Sequence, residues 1–536
     1  MPLTTGKIAG ARAVALAAAT GLAVGCMPAA GEADRRGRAD APVAGGGPAE
    51  CTGVRPPGDS PARQTRAMWI ATVGNIDWPS RKGVSVERQK ADYRRLLDTA
   101  RALNLNAVYV QVRPNSDAFY NSPYEPWSQW ITGKQGRDPG YDVLDFFVRE
   151  AHARNLEFHA WFNPYRISRD PDRRKLHPKS PARRHPDWVR TYGGGLWYDP
   201  GLPQVRELVT NAVMDVVRKY DIDAVHFDDY FYPYPVAGKE FPDTATFKAH
   251  GRGLRRADWR RRNVDLLVES LSGKIHAAKP WVRFGISPFG VWRNKSDDPA
   301  GSATRALASY DDVYADTRKW IRRGWVDYVT PQLYWPIGFA VADYRVLVKW
   351  WADQVAGTRV QLTIGQAAYQ VGEKGPWRNP AELSRHLSLN AGHPAVRGDV
   401  YFSAKNLVGN RLGFASRLRS EHYARPAIPP VVAGRGGRAP ALPGAVRVRE
   451  QGSSVRVQWR GSARAAVYAV YRVPGRGARC GPVDPRRLLV TVRGATAVTD
   501  PTARVGQTYT YYVTALDRLH YESGPALGAT ISVGGG

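Results

Sequence analysis

The sequence predicts an α/β protein: a closed (β/α)8 barrel followed by a C-terminal β-sandwich. Three observations predict it. Between residues 63 and 425, a short apolar or aromatic run, a polar loop and an amphipathic stretch recur in that order. The first of these runs is not followed by a Gly-rich phosphate loop. From Gly444 onward, the pattern changes to short β-rich runs separated by turn residues.

The eight strand-like runs are Arg66–Thr72, Ala107–Arg113, Glu157–Phe162, Ala224–Phe227, Arg283–Pro288, Tyr328–Leu333, Gln361–Ala367 and Asp399–Ser403. Helical stretches lie between them, as at Ser85–Leu103, Val143–Asn155, Val205–Tyr220 and Val264–Lys279. Strand–helix alternation implies parallel βαβ units. Eight units suggest closure, with long βα loops absorbing the extra length. A doubly wound sheet is the alternative. It would want a glycine-rich turn where this chain has Thr72-Val73-Gly74-Asn75-Ile76-Asp77-Trp78-Pro79.

The ends of the chain read differently. Lys7 and Arg12 precede a small apolar run, Ala13–Val24, which leads to Leu22-Ala23-Val24-Gly25-Cys26. Residues 1–25 thus read as a lipoprotein-type signal peptide with Cys26 lipidated, the alternative being a cleaved, secreted form. Residues 26–62 are rich in Ala, Gly, Pro and Arg and read as a disordered tether. The expectation is an exported monomer, anchored in the cell membrane by lipid and facing the wall. The net charge of +29 favours polyanions. An exported chain meets anionic wall polymers before nucleic acid. Cys51 and Cys480 remain, and whether they pair is open. No cysteine or histidine spacing suggests a metal, and no cofactor is expected.

Polar and aromatic side chains collect after nearly every strand. They are Asp77 and Trp78; Arg113 and Asp117; His159, Trp161, Asn163 and Arg166; His226, Asp228, Asp229 and Tyr230; Trp292; Gln332, Tyr334 and Trp335; and Tyr369. Such convergence marks a pocket at the C-terminal end of a barrel. Asn, Gln, Asp and Arg suit sugar hydroxyls, and Trp and Tyr suit the apolar faces of sugar rings. Glycosidic cleavage typically takes two carboxyl groups, about 5–5.5 Å apart for retention or about 6.5–9.5 Å for inversion. Asp228 is the first candidate. Asp229, Asp117 and Asp316 compete for the second role, although Asp316 also reads as a helix start. His226, His159 and Arg113 are candidate supporting or sugar-contacting groups. Trp161, Trp292 and Trp335 are candidate pocket walls.

Seven segments resemble the successive motifs of glycosyl hydrolase-like family ten. They are Thr72–Pro79, Gln111–Tyr120, His159–Arg166, His226–Pro233, Asp258–Val264, Ser287–Arg293 and Asp327–Trp335. The resemblance implies a (β/α)8 glycoside hydrolase acting on bacterial cell-wall glycan, particularly peptidoglycan strands stripped of their stem peptides. It implies Asp228 as the central acid of Phe227-Asp228-Asp229-Tyr230, with Asp229 beside it. On N-acetylated sugars the acetamido oxygen can itself attack the anomeric carbon, and two adjacent acids would suit that division of labour. A non-catalytic carbohydrate-binding lipoprotein, or a hydrolase of another polysaccharide, remains open.

Residues 426–443 read as a Pro/Gly/Arg linker, and 444–536 as the sandwich. Strand-like runs lie at Val446–Val448, Ser454–Trp459, Val467–Tyr471, Leu488–Val492 and Tyr509–Ala515, with room for two more. Trp459 and Gly506–Ala515 resemble a fibronectin type III domain, with Tyr509 as its corner tyrosine. The expected role is a spacer or wall-binding accessory.

Overall fold

A computed structural model describes residues 63–478 and 483–534. The signal, the tether and all three cysteines fall outside the described residues. Eight parallel strands close into a barrel: β1 Thr65–Ile70, β2 Ala107–Arg113, β3 Glu157–Phe162, β4 Ala224–Phe227, β5 Arg283–Ile286, β6 Tyr328–Val329, β7 Gln361–Gln366 and β8 Val396–Tyr401. Their order around the ring is their order in the chain. β1 closes it, pairing Ala67 with Ala107 of β2 and Thr65 with Gly398 of β8.

Every residue of β1, β2 and β3 is buried, as strands filled on the inside and covered by helices require. The helices around them include α1 Val86–Ala102, α2 Val143–Ala153, α3 Pro203–Lys219, α4 Arg256–Ala278, α5 Thr317–Arg323, α6 Tyr344–Val355 and α7 Glu382–Ala391. Ser85 caps α1 by accepting from the Arg88 N–H, and Asp142 caps α2 by accepting from the Asp145 N–H. α4 begins eight residues before the apolar run that announced it. Its first turns are anchored by charge instead: Arg260, 3% exposed, pairs with Asp243 at 2.7 Å. Hydrophobic periodicity does not register such a turn.

Side chains alternate along each strand, so β3 carries Glu157, His159 and Trp161 up the barrel interior towards Asn163. The interior is packed with Trp69, Tyr109, His159, His226 and Tyr328. The Tyr328 hydroxyl bonds Nδ1 of both His159 (2.9 Å) and His226 (3.2 Å). Gly285 makes room for that ring, because a Cβ there would come within 2.1 Å of it.

Seven strands in two sheets follow: β9 Gly444–Gln451, β10 Ser454–Arg460, β11 Val467–Pro474, β12 Leu488–Arg493, β13 Ala497–Asp500, β14 Thr508–Leu516 and β15 Ala529–Ser532. One sheet runs β9-β10-β13 and the other β12-β11-β14-β15, a fibronectin type III-like sandwich. Trp459 and Tyr468 pack in its core, and the Tyr509 hydroxyl accepts from the Arg504 N–H at 3.4 Å, a tyrosine corner.

This domain sits against the N-terminal end of the barrel. Glu157, where β3 begins, takes Arg283 at 2.6 Å and His520 at 2.7 Å. Asp223, just before β4, takes Arg493 at 3.4 Å and Arg518 at 3.3 Å. Arg63 pairs with Glu522 at 2.5 Å.

Candidate active site

β4 ends at Phe227, so Asp228 and Asp229 stand where the strand empties onto the C-terminal mouth. Asp228 is half-buried and held by amides from neighbouring strands. Asn163, just beyond β3, donates through Nδ2 to its Oδ2 at 2.8 Å. Gln332, beyond β6, reaches its Oδ1 at 3.4 Å. Asn163 also donates to the Tyr230 hydroxyl at 2.7 Å. Gln111 of β2 fixes Asn163 in turn, donating to its Oδ1 at 2.6 Å. The side-chain Oε1 of Gln111 is locked by the backbone N–H groups of Thr72 and Val73.

Asp229 lies deeper, 8% exposed. Its backbone N–H donates to Asp228 Oδ1 at 3.0 Å, and the Tyr234 hydroxyl donates to its carboxylate. Burial, then the charge of Asp228 and a shared hydrogen bond with it, hold the Asp229 carboxyl well above the usual range. The site therefore presents two adjacent carboxyl groups, with the protonated form favoured at the inner one.

Aromatic rings line the surroundings. Tyr234 meets Phe289, which meets Trp335, with centroids 6.1 and 5.4 Å apart. Tyr334 meets Tyr369 at 5.6 Å. Burial, Tyr369 and the charges of the two acids together push the Tyr334 phenol well up. A three-stranded excursion between β3 and α3 (Arg166–Ser168, Val189–Tyr192 and Gly195–Tyr198) overlooks the mouth. It sets Trp197 edge-on to Tyr230 at 5.7 Å and the Arg166 guanidinium 5.0 Å from the centre of that ring.

The structure thus brings together Asp228, Asp229, Tyr230, Asn163, Arg166, Gln332, Tyr334, Trp335 and Tyr369. Others lie elsewhere. Asp316 caps α5, accepting from the Lys319 N–H and from the Trp292 indole. Trp292 is 4% exposed and stacks on Trp350 in the helix layer. Trp78 is wholly buried and donates to the Gln89 carbonyl. Arg113, also wholly buried, is consumed by Glu125 at 2.5 Å. Asp77 ties the β1 loop to the end of β8 through Ser403 and the Lys405 N–H. His226 bonds Ser287 and Tyr328 rather than Asp228, and burial holds it and His159 neutral, His159 down to about 4. Trp161 lies between His159 and Asn163, and its indole N–H has no protein acceptor. Gln111, Tyr234, Trp197 and Ser287 were not among the residues the sequence singled out. Of these, Gln111 and Ser287 carried a signal, since each opens one of the motif segments, Gln111 near the end of β2 and Ser287 directly after β5.

Asp117 is 1% exposed, and neither carboxyl oxygen has a hydrogen-bond partner. Burial pushes it up to about 7, and the charges it senses are Glu125 and Arg113, not the central pair. The unfolded value is about 3.9, so the folded chain holds the extra proton and loses stability as pH rises from about 4 through about 7. Asp117→Asn is expected to match the wild type near pH 4 and to exceed its stability at pH 8 by roughly 2–4 kcal/mol, read by urea unfolding at both pH values.

Residues 64–380 match the profile of the family described as Glycosyl hydrolase-like 10. The chain belongs to this family. It is 48% identical over 476 residues to glycosyl hydrolase YngK of Bacillus subtilis (strain 168), covering 86% of this chain and 92% of YngK. It is 41% identical over 376 residues to glycosyl hydrolase DigH of Escherichia coli (strain K12), covering 65% of this chain and 85% of DigH. Among solved structures, an Fn3-like protein from Clostridium thermocellum covers 17% of this chain and 92% of its own, with 25% identity and a TM-score of 0.15. This member of the family is a glycoside hydrolase, and its substrate is a glycan.

Proposed function

We propose that this glycosidase cuts N-acetylated glycan of the bacterial cell wall, specifically peptidoglycan strands without stem peptides, by a substrate-assisted mechanism. The observation that carries it is the contact between Asp228 and Asp229. Neighbours at one strand end, with the Asp229 N–H on Asp228 Oδ1 at 3.0 Å, stand on one side of the mouth, whereas two carboxyl groups that flank a glycosidic bond are about 5–5.5 Å or more apart. They suit a substrate that brings its own nucleophile. Asp228, oriented by Asn163 and Gln332, accepts the acetamido N–H. The acetamido oxygen then attacks C1 while the C1–O bond to the next sugar breaks. Asp229, kept protonated by burial and by Asp228, gives its proton to the departing oxygen. Water opens the cyclic intermediate, returning a proton to Asp229. The signal-like run ending at Cys26 supports delivery of the enzyme to the wall.

The test is incubation of the enzyme with peptide-free strands, alongside Asp228→Asn, with products read by mass spectrometry. Shorter strands from the wild type alone are expected. Cleavage of other glycans but not of these strands, or equal products from both proteins, would defeat the reading.

A further inference from the structure

Arg166 is a cation in the site without a counter-ion. Among the described residues it forms no ion pair. Nε donates to Asn115 Oδ1 and Nη2 to the Pro114 carbonyl, each at 3.1 Å. A guanidinium has five N–H donors, so three remain, two of them on Nη1. The side chain is half-buried on the first strand of the excursion, opposite Trp197 in register. It is therefore positioned rather than waving in solvent. Its guanidinium lies over the face of Tyr230, the residue whose hydroxyl shares Asn163 with Asp228.

We infer that Arg166 is a specificity residue that reads a carboxylate carried on the sugar next to its acetamido group. This rests on the proposed reaction and names the residue that reads its substrate. In muramic acid the lactyl carboxylate is borne on O3, adjacent to the acetamido at C2. Asn163 joins Asp228 to the Tyr230 hydroxyl, and Arg166 lies over that ring, so a group one carbon away from an acetamido held at Asp228 has Arg166 as a nearby cation. The match is also electrostatic. A carboxylated sugar approaching Asp228 meets like charge, and a guanidinium with free N–H donors offsets the repulsion by charge-assisted hydrogen bonds. The carboxylate is free only after the amide joining it to the stem peptide has been hydrolysed. An intact stem peptide removes the charge that Arg166 reads.

The experiment compares two substrates on the full chain. One is peptide-free strands with free lactyl carboxylates. The other is the same strands with those carboxylates converted to methylamides by carbodiimide coupling. The wild type is expected to favour the carboxylate strands in kcat/KM by about 10- to 100-fold, since each tenfold corresponds to about 1.4 kcal/mol of charge recognition. Arg166→Gln is expected to bring the ratio close to one, with an unchanged thermal melting temperature showing that the variant folds. Arg166→Lys, which keeps the charge but loses the planar fork, is expected to fall between the two. Equal wild-type rates on both strands, or an undiminished preference in Arg166→Gln, would overturn this inference and leave the proposed reaction standing. Failure of the wild type to cut either strand would overturn the proposed reaction, and the inference with it.

Discussion

Asp229→Asn is expected to lower kcat on natural glycan by about 10²- to 10⁴-fold, the span over which positioned general acids contribute. The loss is expected to depend on the leaving group. An aryl N-acetylglucosaminide whose phenol departs without a proton does not need the acid for its first step, so Asp229→Asn is expected to retain most of the bond-breaking rate on it. Asp228→Asn lacks the acceptor that orients the acetamido group and is expected to lose both substrates alike. The pH profile carries a second signature. Because burial and Asp228 raise the Asp229 carboxyl, the wild type stays active until the pH climbs past that raised value, and activity falls on the alkaline side as the acid deprotonates. In Asp228→Asn the neighbouring charge is gone, so the alkaline limb of whatever activity remains is expected to move down. Initial rates from pH 4 to 9 on both substrates check this. Equal losses for Asp229→Asn on the aryl and natural substrates would remove it from the acid role.

The second large effect concerns stability. Glu157 is 5% exposed and lies between Arg283 and His520. Burial alone would raise its carboxyl, but Arg283 and His520 outweigh burial and hold it well below the usual range. Asp223 is depressed likewise, Arg493 and His152 outweighing its burial. Glu157→Ala leaves Arg283 buried without its carboxylate and is expected to cost about 3–5 kcal/mol, measured by denaturant unfolding. Since partners of these two acids come from the C-terminal domain, barrel and sandwich are expected to melt in one calorimetric transition. Folded pKa values below the unfolded ones mean that this stability is present above about pH 4 and is lost as pH falls further. Two well-separated transitions at neutral pH would show that the contact is energetically idle.

A feature of this fold shows in the sequence when its residues are neighbours along the chain, and is hidden when they are distant. The barrel strands were legible because a buried parallel strand is a continuous apolar run of local character. Asp228 and Asp229 were legible because such a run empties directly into them. β8 begins three residues before the run that announced it, since Arg397 and Gly398 carry no strand signal. β6 keeps only two residues of regular pairing. The three strands of the excursion have three or four residues each, too few for periodicity to show. The pairing of Glu157 with His520 spans 363 residues, and no local pattern encodes it. Hence nothing local in the C-terminal domain, read as a spacer or wall-binding accessory, announced that its histidine and arginines are bound into the barrel. Asp117 and Asp316 competed as acids because a carboxylate in a loop looks the same in sequence whether it caps a helix, lies in the core or faces a substrate.

Arg63 is the first residue described, and it lies at the barrel's closed end, joined to Glu522. Any force transmitted from upstream of residue 63 is therefore applied to the side away from Asp228. Were the chain held from that side, its mouth would face away from the point of attachment. A strand several sugars long could then be drawn across the opening without passing the point of attachment, so immobilising the protein by its N-terminus should cost little access even for polymeric glycan.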